Sequence, residues 1–284
     1  LTHPIIPEYG DYDMGGRVRM DANLAIANGD AMLLARGLVK SAGVVHKFGA
    51  ATDISTAFKP VTTSQTYQTP MVAEALEVVS DSVLDNGTTS PLGIGALTLK
   101  VYGITDWNAP ETVEYVTLDG TTPVVLVNNW LRIFRVKVDT SGSYASATAV
   151  SHNSTITITA QVGGAVWAQI ATLDGVGLAQ SEIAMYSVPA GKLAYMQHAE
   201  IWIESSKSAN VVFFARANAD NITAPFSARQ SKIIMRTVVD SLEVDPRTPY
   251  GPFVGPCDIG WMAEATPSGS ASVGVDFELI IYDV

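Results

Sequence analysis

The run VHKFGAATDISTAF (45–58) crowds His46, Lys47, Asp53 and Ser55 into one short stretch. An imidazole, an amine, a carboxylate and a hydroxyl are the parts of general acid–base or nucleophilic chemistry. A second candidate is YMQHAEIWIES (195–205). Read as a strand, it puts Met196, His198, Glu200, Trp202 and Glu204 on one face, a polar binding surface or a subunit contact. Asp81, Asp85 and Asn86 share a turn whose oxygens suit a calcium ion or simply face water. The five tryptophans, 107, 130, 167, 202 and 261, raise sugar stacking, with Trp202 or Trp130 as the stacking residue, against packing in a core or interface.

Nothing completes these fragments. The four histidines (His3, His46, His152, His198) have no second histidine two to four positions on, so no local metal pair exists. HExxH, GxSxG and the phosphate-loop pattern are missing. PLGIGAL precedes a strand rather than linking a strand to a helix, which a dinucleotide loop requires. The single cysteine, Cys257, forms neither an internal disulfide nor a thiolate zinc site and reads as a small buried hydrophobe. The expectation is a non-enzyme: no catalytic residues, no cofactor-binding residues, no metal ligands and no cofactor. A β-sandwich glycoside hydrolase is the enzymatic alternative. It needs two carboxyls about 5–10 Å apart across a cleft.

Composition narrows the partners. The chain has 284 residues, 47% of them hydrophobic and 16% charged, with a net charge of −11. Basic residues are scattered, so a phosphate backbone finds no cluster to bind, and nucleic acid is excluded as a partner. No run of 18 or more apolar residues is present, so no transmembrane helix and no membrane partner is expected. The first twenty residues lack a basic segment followed by an apolar one and do not read as a signal peptide. With few charges, the polar surface falls to Thr, Ser, Asn and Gln, which suits sheet surfaces and subunit contacts.

The elements that must position these residues are strands. Residues 1–20 read as an extended arm, and 21–39 as the one helical stretch, short and interrupted by Gly29 and Gly37. From residue 71, apolar β-branched runs alternate with Gly, Asn, Asp and Pro turns. Strands are predicted at 75–80, 95–104, 111–118, 123–127, 131–138, 154–161, 182–188, 193–204, 210–217, 232–239, 258–265 and 271–282. In TITIT (155–159), Ile156 and Ile158 share a face. In VDFELIIYDV, Val275, Phe277, Leu279 and Ile281 share another. Asp119-Gly120 marks a tight turn between two strands. The fold class expected is all-β, a β-sandwich or jelly-roll-like domain with an extended N-terminal arm and at most one short helix. The division expected is an anchoring arm over 1–45 and a β-sandwich domain over 46–284, with room for two packed sub-sandwiches meeting near 180.

Several segments resemble structural proteins of tailed bacteriophages. GLVKSAGVVHKFGAATDI (37–54) is similar to a segment in which GLV is followed by a turn, then HKFG or NKFG, then Asp-Ile. The stretch 76–136 continues the likeness through Gly103-Ile104-Thr105-Asp106, VTLDGT and LRIFR. YSVPAGKLAY (186–195) resembles a YTVPAGKTAY hairpin, and 257–284 resembles a terminal hairpin. The likeness covers about residues 36–284, as an ordered set of individually weak motifs. It departs where the usual KFGRNPD is here KFGAATD, and where Glu-Lys-Thr-Asp is here Gly-Pro-Cys-Asp. The resemblance implies a non-enzymatic, symmetric virion protein, made in the host cytoplasm and placed on the particle surface. A capsid decoration or cement protein comes first and a tail- or head-fibre receptor- or glycan-binding protein second. The partners implied are the major capsid protein or neighbouring virion proteins and further copies of the chain, a trimer suiting quasi-threefold positions, with a host-surface glycan under the second reading.

Overall fold

A computed structural model describes residues 11–12, 18–19, 41–142, 151–173, 176–246, 249–266 and 269–284. The predicted helical stretch at 21–39 and the arm before it lie outside the described residues, apart from two short strands. The chain order is β1 (Asp11–Tyr12), β2 (Val18–Arg19), β3 (Ala42–Ile54), β4 (Lys59–Pro60), β5 (Glu74–Ser80), β6 (Ala96–Ile104) and β7 (Thr112–Thr117). There follow β8 (Val124–Trp130), β9 (Arg132–Ser141), β10 (Ile156–Ala160), β11 (Val166–Ile170), β12 (Thr172–Leu173), β13 (Val176–Gly177) and β14 (Met185–Val188). The last are β15 (Lys192–Ile203), β16 (Ala209–Ala217), β17 (Gln230–Val238), β18 (Ser241–Val244), β19 (Tyr250–Val254), β20 (Cys257–Ala265) and β21 (Ala271–Asp283). Among the described residues every element is a strand, and every strand pairing is antiparallel. The fold is all-β.

Among the described residues, four sheets of three or more strands stand beside the two-stranded pairs β1-β2 and β12-β13, a blade-like arrangement rather than a clear two-sheet jelly roll. Sheet I runs β11-β10-β5-β8 and sheet II runs β7-β6-β9. Sheet III runs β14-β20-β16-β17, with β4 added on β20, and sheet IV runs β18-β15-β21-β3, with β19 added on β15. Sheets I and II close on one core, built from Leu76, Leu99, Trp130, Ile156, Trp167 and their neighbours. Sheets III and IV close on another, centred on Phe213, Trp261 and Phe277.

Sheet III lies between the two cores. Phe213 and Trp261 face one, while Met185, Phe214 and Met262 face the other. That is why MYSV, VVFFA and CDIGWMA are buried at every position: a strand covered on both faces has no reason to alternate. Sheet IV is covered mainly on one side, and β21 alternates as its sequence predicts. Val275, Phe277, Leu279 and Ile281 are buried, whereas Asp276 is exposed. At its far end Ile280 and Tyr282 are buried too, in a small outer cluster with Val44, Leu193 and Tyr195.

Each of the twelve predicted spans overlaps an observed strand, but the pairing differs from what the turns suggest. Asp119-Gly120 is a turn, with Gly120 at φ +60°, yet β7 pairs with β6 and β8 with β5. The turn carries the chain from sheet II to sheet I instead of closing a hairpin. The VPAGK turn likewise joins β14 in sheet III to β15 in sheet IV, and β20 to β21 is another such crossing. A tight turn sets the reversal of the chain. The choice of hydrogen-bond partner belongs to strands far away in sequence.

Candidate functional site

VHKFGAATDI falls inside β3, a long edge strand of sheet IV. Its side chains alternate, and alternation separates the polar groups. His46 points outward and pairs with Glu278 on β21 at 3.2 Å. Lys47 points inward and is buried. Asp53 accepts a hydrogen bond from the Ser270 hydroxyl at 3.2 Å, and the Ser55 carbonyl accepts one from the Ala265 N–H. The four groups do not converge. Phe58 is exposed, while Phe48 lies half-buried beneath the Arg135 guanidinium. Gly49 is required for close packing, since a Cβ there would stand 2.2 Å from the Ala184 nitrogen and 2.3 Å from the Val61 carbonyl oxygen. Val61 and Ala184 flank the stretch of chain that builds sheets I and II, and the Ala184 N–H donates to the Val61 carbonyl.

Lys47 reaches instead into the seam between the two sheet pairs. Its amine donates to the Phe134 carbonyl on β9. Glu111, Arg135, Tyr102 and Tyr186 line the same cavity, of about 260 Å³. Burial lowers the Lys47 pKa to about 7, and the neighbouring Arg135 charge pushes the same way against Glu111. Glu111 stands at the rim, where desolvation of its carboxyl raises its pKa. Burial likewise raises the Tyr186 phenol. This is the most chemically suggestive cluster in the described chain: an amine that gives up its proton far more readily than usual, beside a carboxyl that holds its proton more readily than usual.

A second polar group crosses the same seam. Arg132 on β9 is fully buried and grips Asp258 on β20 with two bonds, 2.9 and 3.0 Å. Its remaining nitrogen donates to the Pro70 and Leu131 carbonyls, and the Trp107 ring lies 4.9 Å from the guanidinium. The Ser187 hydroxyl donates to Asp258, and the Tyr67 hydroxyl bonds Ser187 at 3.1 Å. A hydroxyl bound to a carboxylate already neutralised by arginine is not activated for attack, because no group there takes its proton. Sequence reasoning missed this network. Arg132 and Asp258 are 126 positions apart and carry no motif.

The other candidates resolve as follows. Asp85 is buried and accepts from the Ser80 hydroxyl and from the Ala96, Asn153 and Ser154 N–H groups at 2.6–3.2 Å. Asn86 accepts from Thr88 and Thr89. Donors aimed at these oxygens leave them poorly placed for a cation, and the turn is an organising joint for residues 80–96. Cys257 is buried, and burial pushes its thiol up to about 12. Trp130 is fully buried and no sugar can reach it; Trp107, Trp167 and Trp261 are buried as well. Trp202 is 46% exposed. It shares the outer face of sheet IV with His198 and Glu200, as alternation predicts, but Met196 does not. A register shift between Met196 and His198 reverses the phase, and Met196 points into the core.

No family model and no curated protein matches this chain. Among solved structures, that of the infectious bursal disease virus Gx strain aligns with 86% of this chain and 77% of its own, at 8% identity and a TM-score of 0.18. The VP2 subviral particle of infectious bursal disease virus aligns with 84% and 76%, at 9% identity and a TM-score of 0.13. TM-scores so far below one-half carry no shared fold.

Proposed function

We propose that the chain is a non-enzymatic structural protein of a tailed-bacteriophage virion, a decoration or cement protein on the capsid surface, built on a jelly roll. One observation carries this reading, the strand order of sheets III and IV. Let β3, β14, β15, β16, β17, β18, β20 and β21 be strands B to I. Leaving aside the added strands β4 and β19, sheet IV then runs B-I-D-G and sheet III runs C-H-E-F, an order that supports a jelly-roll reading of this sheet pair. The first sheet pair occupies the connection between B and C. Jelly rolls serve capsids and lectins alike, and the ordered phage-like motifs favour the virion. The buried polar groups agree with a scaffold: Arg132, Asp258 and Asp85 spend their hydrogen bonds on holding segments together.

In this proposal residues 1–40 bind the major capsid protein, and several copies, three in a trimer, gain grip through avidity. Deleting 1–40 should abolish association with capsids while the β domain keeps its thermal unfolding transition. Electron microscopy of particles carrying the truncated protein checks this. Full decoration by the truncated chain would sink the anchoring role, and density confined to the tail would sink the capsid assignment.

A further inference from the structure

The outer face of sheet IV carries a depression of about 320 Å³ lined by Phe48, Ala50, Glu182, Glu200, Trp202 and Asp276. Three strands place most of these groups. Glu200 on β15 stands opposite Asp276 on β21, which stands opposite Phe48 on β3. Two positions along, Trp202 stands opposite Gly274, which stands opposite Ala50. The small residues sink the floor. Gly274 also lets the indole lie down: a Cβ there would fall 1.9 Å from two atoms of the Trp202 ring. Trp202 is therefore fixed by the backbone beneath it while 46% of the residue remains exposed.

Covering a glycine accounts for one face of this ring but not for what surrounds it. Among the described residues, the side chains of Glu182, Glu200 and Asp276 have no ion-pair or hydrogen-bond partner. All three carboxylates are acceptors only. We infer that the depression is a subsite for a neutral pyranose ring. The apolar C–H face of the sugar stacks on Trp202, and its hydroxyls donate to Glu200, Asp276 and Glu182. The same carboxylates repel sialic and uronic acids, so the site selects uncharged sugars. The inference rests on the geometry of sheet IV and stands independently of the capsid role.

The test uses the full chain, an array of neutral oligosaccharides with their sialylated counterparts, and an octalysine peptide as a cationic probe. Neutral glycans should bind with a Kd on the order of 1 mM and quench the emission of Trp202. Trp202→Ala should weaken binding about tenfold or more while a cooperative thermal unfolding transition is retained. Asp276→Ala, at an exposed position, serves as a second variant and should weaken binding as well. Sialylated glycans should bind more weakly than neutral ones. The inference is overturned if no neutral glycan binds up to about 10 mM, if binding survives both substitutions undiminished, or if octalysine occupies the site and sugars do not.

Discussion

Among the described residues, two basic side chains are buried in the seam between the sheet pairs, and they are treated in opposite ways. Arg132 has a bidentate carboxylate, two carbonyls and an aromatic face around it. Lys47 has one carbonyl, a repelling Arg135 and a carboxylate at the rim. The guanidinium keeps its charge at any accessible pH, so the fold must satisfy every donor. The amine can shed its proton, so the fold leaves it under-compensated and moves its pKa instead. Burial alone does not mark a catalytic lysine: the same shift follows wherever an ammonium is desolvated without a close partner.

The largest effect should come from splitting the compensated pair. Arg132→Met leaves Asp258 charged and buried, and should cost about 3–5 kcal/mol in denaturant unfolding. Adding Asp258→Leu should restore much of that loss, because the apolar pair no longer strands a charge. A single and a double variant of equal stability would break the comparison.

Lys47 supplies the intermediate effect, with a definite sign. Its folded pKa, about 7, lies below the ordinary 10.5. Between those values the unfolded chain binds the proton and the folded one releases it. Stability therefore rises with pH across that window, at a slope approaching ~1.4 kcal/mol per pH unit, and flattens below about pH 7. Lys47→Met should remove that component and be at least as stable as the parent at pH 7. Identical pH profiles for the two proteins would show that Lys47 keeps its charge. The smallest effect belongs to the exposed His46–Glu278 pair, where Glu278→Gln should change stability by less than about 1 kcal/mol. Thermal melts that show a larger change would place that pair in the structural seam.

Much of the fold was legible because alternation is local. TITIT and VDFELII declare which side chains share a face, and Ile156, Ile158, Val275 and Phe277 are buried accordingly. The candidate sites were less legible. His46 and Lys47 are adjacent in sequence, yet β geometry sends them to opposite sides. Trp130 and Trp202 look alike as letters, but only Trp202 meets solvent. One bulge turns Met196 away from His198, and no residue type there announces it.

The sequence by itself determined that the described chain is built of strands, which side chains share a face within an unbulged strand, and where the chain reverses. It also set a net charge of −11 with basic residues scattered along the chain. Only the tertiary structure decided that Asp119-Gly120 and VPAGK join different sheets and that sheet III is covered on both faces. It alone brought Arg132 to Asp258 and raised an aromatic, acceptor-lined hollow on sheet IV. The reason is physical. A side-chain period of two is written between neighbours, whereas sheet partners are chosen by the shared burial of apolar faces that can lie more than a hundred residues apart.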